Sequence, residues 1–293
     1  MTSDRKIDLS VIIINYNTVA FLGRCLSTIE KQHNVDAEVI VVDNCSKDGS
    51  AEFVRKRFPS VRLIANDQNL GFSKANNQAL DVCNGTNVYF LNPDTEIRNN
   101  AFKHMIDFMD SHSNVGLAGT RLINPDGTLQ SSVEVRYPGH RYARHELEGL
   151  RGDIAWVMGA SMIARMNVIR NINGFDEHFY LYGEDLDLCL RIRKSGWVIG
   201  YIPEAVVVHW GGQSERDNLP VEVWEKKIRA EALFYRKHYL PKTVRSIDRK
   251  NFYQACWRIF TLKLELLFTN NKKPALAKLE KYQLIRKMLR RST

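Results

Sequence analysis

The segment from residue 174 to residue 196, GFDEHFYLYGEDLDLCLRIRKSG, brings carboxylates together with aromatic and basic side chains. From Leu186 to Ile192 its apolar residues recur at helical spacing, so Glu184 and Asp185 are predicted to lie at the N-terminus of a helix. The helix dipole there favours ionised carboxylates, and an ionised carboxylate at the lip of a cleft suits a general base. The alternative interpretation is an acidic helix cap on the protein surface.

Polar residues also follow three short apolar runs. They are Asn15 with Asn17, Asp43 in VDNCSKDGS, and Asn92 with Asp94 in LNPDTE. A carboxylate after the second of these runs can accept hydrogen bonds from a base or a ribose, and Asp94 can bind a divalent cation. Each cluster also has an ordinary interpretation as a helix cap or a turn.

The apolar runs in the first part of the chain are rich in β-branched residues, as buried parallel strands are. Predicted strands occupy residues 10–16, 38–43, 61–65, 87–91 and 115–119. Predicted helices alternate with them at residues 18–32, 47–57, 71–82 and 99–112. This alternation indicates an open parallel sheet, whose ligands bind beyond the carboxyl ends of the strands. A dinucleotide site is disfavoured because GxGxxG is absent after the first strand, where Gly23 stands alone.

With 293 residues and 44% hydrophobic content, the chain can bury a substantial core, as one large domain or as one domain with an appendage. Its five cysteines are scattered without a CxxC pair. This pattern disfavours a disulfide framework or a zinc site and favours a reducing compartment. The first residues lack the apolar core of a signal peptide, and no apolar run approaches the roughly 18 residues that cross a bilayer. We therefore expect a cytoplasmic protein.

The net charge of +9 is unevenly distributed. Residues 226–293 contain 19 Lys and Arg against 4 acids, so this tail carries +15 and the remaining 225 residues carry −6. The segment 252–268 interleaves aromatic and aliphatic residues with Arg258 and Lys263, and a second basic helix is predicted at 275–290. Such a pattern is typical of an amphipathic segment on anionic lipid. Packing on the main domain or against a second copy in a homodimer is an equally good interpretation. No nucleic-acid-binding motif is present, so no nucleic-acid partner is expected.

Six motifs, in order, carry a resemblance to a known family. They span residues 10–214 and are SVIIINYNT, VIVVDNCSKDGS, NLGFSKANNQAL, YFLNPDTEI, WVMGASMIARMNVIRNINGFDEHFYLYGEDLDLCLRIRKSGW and VVVHWGGQS. In these motifs the chain resembles family 2 glycosyltransferases of the GT-A fold, in particular the bacterial rhamnosyltransferase-like branch. The resemblance implies an α/β fold with a GT-A type, Rossmann-like nucleotide-binding sheet in a domain of residues 1–225. A basic helical extension of residues 226–293 would follow it.

The resemblance also implies positions for a nucleotide-diphosphate sugar donor. Asp43 would contact the nucleobase, with Asn15 and Asn17 nearby. The remaining donor-site positions are Asn69, Gly71, Phe72, Asn76, Asn92, Trp156, Gly159 and Ala160. For the positions from 69 to 76 the alternative is a helix start packed on the sheet, and for those from 156 to 160 it is a buried hairpin.

By the same resemblance, Asp94 would be the metal-binding acid of a DxD-type motif in which Asn92 occupies the first acidic position. Asn92 can hydrogen-bond ribose or phosphate but adds no charge. His209, at the end of the strand AVVVH, would lie near the diphosphate or the metal, although a strand-terminal histidine can also be structural. Carboxylate, imidazole and phosphate ligands together suit Mn²⁺ or Mg²⁺. The backbone and hydroxyl groups of Gly211, Gly212 and Ser214 could then approach the diphosphate.

The implied reaction is sugar transfer with inversion to a saccharide or lipid-linked acceptor, in bacterial polysaccharide or cell-surface glycan synthesis. Asp185 is the preferred base for the acceptor hydroxyl, and Glu184 is the second choice. A lipid-linked acceptor would place the enzyme at the inner face of the plasma membrane as a peripheral protein.

The best match for the donor is dTDP-rhamnose, and the alternative is a UDP-hexose or a UDP-N-acetylhexosamine. A catalytically silent sugar-nucleotide-binding protein is the alternative from a different functional class. A nucleotidyltransferase is disfavoured because NYNTVAFLGR lacks a glycine-rich basic loop after the first strand.

Overall fold

The computed structural model describes residues 7–213, 218–269 and 272–289. The chain forms two compact units, one of residues 1–137 with 150–216 and the other of residues 138–149 with 217–293. The first unit contains the β-sheet, and the second contains the C-terminal helices. The domain boundary predicted at residue 225 stays a prediction.

Strands and helices alternate along the first 91 residues, as the hydrophobic pattern predicts. The elements up to residue 123 are β1 (Leu9–Asn15), α1 (Val19–Ile29), β2 (Ala37–Asp43), α2 (Ser50–Arg57), β3 (Arg62–Ala65), α3 (Phe72–Leu80), β4 (Asn87–Leu91), β5 (Thr95–Ile97), α4 (Ala101–Ser111) and β6 (Val115–Ile123). They are followed by β7 (Val133–Glu134), β8 (Trp156–Val157), β9 (Ser161–Arg165), α5 (Met166–Asn171), α6 (Glu184–Lys194) and β10 (Val198–His209). The five predicted strands are all present. The short β5 was not predicted, because so few residues show no periodicity.

Eight strands of the described residues form one sheet in the order β3-β2-β1-β4-β9-β6-β10-β5. β1 runs parallel to β2 and β4, and β2 runs parallel to β3. β9 is antiparallel to both β4 and β6, and β5 is antiparallel to β10. The five predicted strands therefore all run in one direction, as predicted, and β9 and β5 add antiparallel pairings in the second half of the sheet.

β1 is buried on both faces, which explains its nearly unbroken apolar sequence. Val11 and Ile13 pack in the cluster that includes α1 and α4. Ile12 and Ile14 point to the other face, where they pack in the cluster that includes α3, α5 and α6. The strand ends at Asn15, and there the sheet presents polar side chains at its carboxyl edge.

The pairing of β5 with β10 sets residues that are distant in sequence side by side. Thr95 lies opposite His209, and Ile97 lies opposite Val207. β10 also runs parallel to β6, with a register shift between Ile202 and Val206. Because Asp94 directly precedes Thr95, the pairing places Asp94 next to His209 at the carboxyl edge of the sheet.

The second unit contains α7 (Pro220–His238), α8 (Pro241–Phe268), α9 (Lys273–Leu289) and a short 3-10 helix (His145–Leu147). Both α7 and α8 begin with proline, whose fixed φ suits the first helical position. α8 packs on α9 through an apolar cluster of Ile259, Leu262, Ala275 and Leu279. Among the described residues, no helix has the length and apolar character that a bilayer crossing requires.

Candidate active site

The side chains at the ends of β1 and β2 are bonded to each other. Asn15 Nδ2 donates to Asp43 Oδ1 at 2.9 Å and to Ser46 Oγ at 3.1 Å. The Ser46 N–H donates to Asp43 Oδ2 at 3.0 Å, and the Thr18 hydroxyl donates to Asn15 Oδ1 at 2.6 Å. Asn15 and Asp43 are both buried. Asn15 therefore fixes the orientation of Asp43, whose carboxylate has lone pairs left for a further donor.

Asn17 joins the end of β1 to the loop after β2. Its backbone has a positive φ of 53°. Its N–H donates to Ser46 Oγ at 2.9 Å, and its Oδ1 accepts the Lys47 N–H at 2.7 Å. The structure thus brings Asn15, Asn17 and Asp43 together at one edge of the sheet.

Asn44 connects this edge to the loop before α3. Its Nδ2 donates to Asn69 Oδ1 at 2.9 Å and to the Gly71 carbonyl at 3.3 Å. Its Oδ1 accepts from the Leu70 N–H at 3.0 Å and from Asn66 Nδ2 at 3.2 Å. Asn44 belongs to the polar run VDNCSKDGS that was expected at this edge, but no specific role was predicted for it. The predicted position Asn69 is held in this network.

Gly71 turns the chain into α3 with a φ of +82°. A Cβ at this position would lie 2.5 Å from the Tyr180 ring and 2.8 Å from the Tyr180 carbonyl oxygen, so the site requires glycine. The Phe72 N–H donates to the Tyr180 carbonyl at 2.7 Å. The buried Asn76 donates through Nδ2 to the Phe72 carbonyl at 2.9 Å, so it braces the first turn of α3.

Asp94 and His209 face each other next to the β5–β10 pair. His209 Nε2 lies 3.5 Å from Asp94 Oδ1, and both residues are buried. The Trp210 N–H donates to the Asp94 carbonyl at 3.0 Å, and the Gln213 N–H reaches Asp94 Oδ2 at 3.4 Å. The segment after β10 therefore packs against Asp94.

This segment is built on two glycines with left-handed backbone. Gly211 has a φ of +65° and Gly212 a φ of +69°, a conformation that other residues adopt only with strain. Ser214, which was predicted to approach a diphosphate with them, lies outside the described residues.

Gln130 determines which ring nitrogen of His209 faces Asp94. Gln130 Nε2 donates to Asn124 Oδ1 at 3.1 Å, which turns Gln130 Oε1 toward His209 Nδ1 at 2.7 Å. Because an amide oxygen only accepts, Nδ1 donates to Gln130, and Nε2 is the ring nitrogen that faces Asp94. Metal-binding histidines are held in this way by an outer hydrogen-bond partner. No sequence pattern identifies Gln130, because its contact with His209 depends on the tertiary fold.

The Asp94 and His209 side chains fit one side of a divalent cation's coordination shell. Within the described ranges, no three His, Cys, Asp or Glu side chains gather into a metal site. The protein could therefore supply two ligands, with the others coming from phosphate oxygens or water. Asn92 directly follows β4, and its N–H donates to the Ala160 carbonyl at 2.9 Å.

Glu184 and Asp185 begin α6, as predicted, directly after Gly183. Asp185 Oδ1 accepts the Leu186 N–H at 2.8 Å, and Asp185 Oδ2 accepts the Gly159 N–H at 3.1 Å. Glu184 is buried, and its Oε2 has no hydrogen-bond partner in the part of the chain that the structure describes. The two neighbouring carboxyl groups therefore have different environments.

The other carboxylates of this segment have separate contacts. Asp187 pairs with Arg191 at 2.7 Å on α6, as their helical spacing predicts. Asp176 Oδ1 bonds to its neighbour His178 at 2.6 Å, and Glu177 accepts from Asn77 at 3.1 Å. Glu184 and Asp185 are therefore the acidic pair to consider for chemistry.

Burial raises the pKa of both carboxyl groups at the start of α6. For Glu184, desolvation and then the charge of Asp185 raise the pKa to about 8. For Asp185, desolvation also raises the pKa, opposed by the N–H groups of Gly159 and Leu186. Desolvation thus opposes the helix dipole, which favours the ionised form of both groups. The two backbone N–H groups that Asp185 accepts favour its ionisation over that of Glu184.

Gly159 links this pair to the strand ends. Its N–H contacts Asp185, while the carbonyl of the next residue, Ala160, accepts the Asn92 N–H. Asp185 and Asn92 therefore flank the start of β9. Trp156, on β8, has an indole Nε1 that is buried without a partner among the described residues. The indole N–H is thus a hydrogen-bond donor for which the described residues provide no acceptor.

The mixed sheet, with helices on both faces and a polar carboxyl edge, defines a protein of the GT-A fold. A solved structure of the mannosyltransferase PcManGT from Pyrobaculum calidifontis, in complex with GDP-Man and Mn²⁺, has this architecture. It matches with a TM-score of 0.60 at 15% identity, over 97% of this chain and 87% of that chain. The predicted fold class, with its C-terminal helices, is confirmed.

Residues 10–171 match the profile of glycosyl transferase family 2, and the chain belongs to this family. An N-acetylglucosaminyl-diphospho-decaprenol L-rhamnosyltransferase of Mycobacterium tuberculosis is 26% identical over 231 residues, which cover 69% of this chain and 75% of the relative. Rhamnosyltransferase WbbL of Escherichia coli K12 is 33% identical over 63 residues, or 22% of this chain and 24% of the relative. The predicted resemblance to rhamnosyltransferases is confirmed, and the protein is a glycosyltransferase of glycan synthesis.

The buried Glu184 predicts a pH dependence of stability. Its pKa of about 8 in the folded protein exceeds the ordinary value of 4.5, so the folded state keeps a proton that the unfolded chain has lost. This contribution is fully present below about pH 4.5 and is lost as the pH rises through about 8. Between these two pH values, each unit by which the pH rises lowers the free energy of unfolding by at most about 1.4 kcal/mol. Urea unfolding at intervals from pH 5 to pH 8 measures this dependence. The free energy of unfolding should decline less steeply with pH in Glu184→Gln than in the wild type.

Glu177→Gln is the matched control, because Glu177 is an exposed carboxylate of the same segment. It should retain the wild-type slope. Parallel curves for Glu184→Gln and the wild type would show that Glu184 does not titrate in this window.

Proposed function

We propose that this glycosyltransferase moves a hexosyl group, best matched by rhamnose from dTDP-rhamnose, to a saccharide or lipid-linked acceptor with inversion. Support for the donor comes from the rhamnosyltransferases that the chain resembles. The name of one of them specifies an N-acetylglucosaminyl-diphospho-decaprenol acceptor. The structural observation that carries the proposal is the position of Asp185, at a helix start against the carboxyl edge of the sheet.

Asp185 acts as the general base in this proposal. Its carboxylate takes the proton of the acceptor hydroxyl while the acceptor oxygen forms a bond to the anomeric carbon. The bond from that carbon to the diphosphate oxygen breaks, and its electron pair leaves with the nucleoside diphosphate. A single displacement of this kind inverts the anomeric configuration. The proton on Glu184 reduces the repulsion that a second buried charge would exert on Asp185.

The donor nucleotide occupies the edge formed by β1 and β2. Asp43 accepts hydrogen bonds from the base, while Asn15 and Asn17 fix the surrounding loop. Asn44 holds the segment that contains Asn69 against the same edge, so that the loop before α3 shapes the nucleotide site. Asn76 supports this site by bracing the first turn of α3. Trp156, Gly159 and Ala160 form the wall of the space for the sugar. These contacts orient the donor so that its anomeric carbon is aligned for the displacement.

Asp94 and His209 would hold a divalent cation, Mn²⁺ or Mg²⁺, in this proposal. Their placement beside each other and the orientation of His209 by Gln130 support it, and the PcManGT structure contains Mn²⁺. When bound, the cation neutralises negative charge on the diphosphate. Asn92 offers an uncharged side chain to the ribose or phosphate.

In this proposal the acceptor determines where in the cell the enzyme acts. A saccharide carried on a lipid diphosphate stays in the membrane, so a transferase that uses a nucleotide-sugar donor meets it at the cytoplasmic face. The enzyme therefore acts as a cytoplasmic protein in peripheral contact with the inner face of the plasma membrane. Homodimerisation is the alternative role for its C-terminal helices.

A donor panel tests the proposed function. dTDP-rhamnose should give release of dTDP that depends on a lipid-linked N-acetylglucosaminyl diphosphate acceptor, and NMR of the product should show inversion. The same assay with UDP-hexoses and UDP-N-acetylhexosamines measures the alternative donors. Nucleotide binding without turnover of any donor would instead favour a catalytically silent sugar-nucleotide-binding protein.

Asp185→Asn should lower turnover by about 100-fold to 10,000-fold, the usual contribution of a general base. Asparagine keeps the size of the side chain, so the affinity for the nucleoside diphosphate should change less than twofold. Steady-state kinetics and calorimetry of the same preparation measure the two effects. Glu184→Gln is the control and should retain most of the turnover. Near-normal turnover in Asp185→Asn together with an inactive Glu184→Gln would reverse the assignment of the base.

Asp94→Ala should remove the response of nucleotide binding to Mn²⁺. In the wild type the cation should tighten binding of the nucleoside diphosphate at least tenfold, which corresponds to about 1.4 kcal/mol. Calorimetry with and without a chelator measures the difference. His209→Ala should weaken only the cation-dependent part, and Asp110→Ala, an exposed acid on α4, should behave as the wild type. Equally tight binding in chelator would show a metal-independent site.

A further inference from the structure

A stripe of large apolar side chains is exposed along α8. It is formed by Tyr253, Trp257, Phe260, Leu264 and Leu267, which are between 44% and 74% exposed. We call these five residues the α8 seam. Phe268, beside its end, is 85% exposed. Soluble proteins rarely leave so many large apolar side chains together in water, so the seam indicates a binding surface.

The spacing of the seam is regular. Its members are separated alternately by four and three residues, which keeps them on one side of a helix. At 1.5 Å per residue the seam extends about 21 Å along α8. It therefore forms one continuous apolar strip along the helix.

The seam is not the face of α8 that packs on α9. That face is made by Ala255, Ile259 and Leu262, which are buried, and by Leu266, which is partly buried. These residues have the same spacing but lie two positions further along the chain. Two residues correspond to about 200° around a helix, so α8 has two apolar faces on nearly opposite sides. One face packs against α9, and the other is exposed and available to a partner.

The charges around the seam indicate which kind of partner binds it. α8 and α9 together contain 11 Lys and Arg against 3 acids. The residues that border the seam on its two edges include Arg249, Lys263, Gln254 and Thr261 but no acid. A helix that pairs with a second copy of itself needs opposite charges at these bordering positions. Two copies of this basic surface would repel each other, whereas an anionic bilayer would attract it.

The side chains of the seam also match a bilayer. Tyrosine and tryptophan favour the boundary between headgroups and acyl chains, and phenylalanine and leucine enter the upper acyl region. Basic residues beside them can remain at the level of anionic headgroups. We infer that the α8 seam is a docking surface for the anionic membrane, with α8 lying in the plane of the interface.

Sedimentation of the full chain with vesicles tests this inference. The wild type should bind vesicles of phosphatidylglycerol and phosphatidylcholine and bind much less to phosphatidylcholine alone. Replacing two seam residues in Trp257→Ser/Phe260→Ser should lower the partition coefficient at least tenfold. Val135→Ser is the matched control, because Val135 is as exposed as Trp257 (64% each) but lies in the first unit. It should bind vesicles as the wild type does.

A charge-reversal variant gives an independent measurement. Lys250→Glu/Lys263→Glu leaves the seam intact but should also lower binding to anionic vesicles at least tenfold. Circular dichroism and nucleoside diphosphate binding confirm that each variant is folded. Unchanged vesicle binding in both variants, or equal binding of the wild type to neutral and anionic vesicles, would overturn the inference. So would a wild-type dimer that Trp257→Ser/Phe260→Ser converts to a monomer without loss of vesicle binding.

Discussion

The burial of the central strands on both faces is the constraint on which the rest of the first unit depends. Helices cover both sides of β1, so the strand interior is apolar and polar groups concentrate at the carboxyl edge. There Asn15, Asp43 and Asn44 are also withdrawn from water, and they bond to one another and to the adjoining loops. Because buried polar groups require partners, this edge is ordered by the protein's own hydrogen bonds. The candidate active site rests on that ordered edge.

The sequence predicts those parts of the structure that depend on residues close together in the chain. The apolar runs of β1 and β2 and the helical spacing after Glu184 are local patterns, and the structure has the corresponding elements. The contact of Gln130 with His209 could not be predicted, because it depends on strand pairing between distant segments. The paired positions of Asp94 and His209 became visible only through the family resemblance. The segment 252–268 was interpreted as one amphipathic segment, and the two apolar stripes of α8 were not distinguished because they overlap in the linear sequence.

The acidic pair shows why residue type alone does not determine chemistry. Glu184 and Asp185 share a helix start and differ by one methylene, yet one lacks a hydrogen-bond partner for Oε2 among the described residues and the other accepts two backbone N–H groups. This difference favours ionisation of Asp185 over ionisation of Glu184. Gly159, which supplies one of the N–H groups, precedes β9 and is far from the pair in sequence. The acid–base character of the pair is therefore a property of the assembled fold.

The order of the strands has a consequence for the synthesis of the protein. β5 pairs, within the described residues, with β10, the last strand of the sheet in the sequence. A chain emerging from the ribosome thus contains β5 long before its partner exists, and β6 likewise waits for β9 and β10. Pairing between such distant segments slows folding, and unpaired edges attract other chains in the meantime. The nascent first unit therefore has unpaired strand edges until residue 209 has been translated.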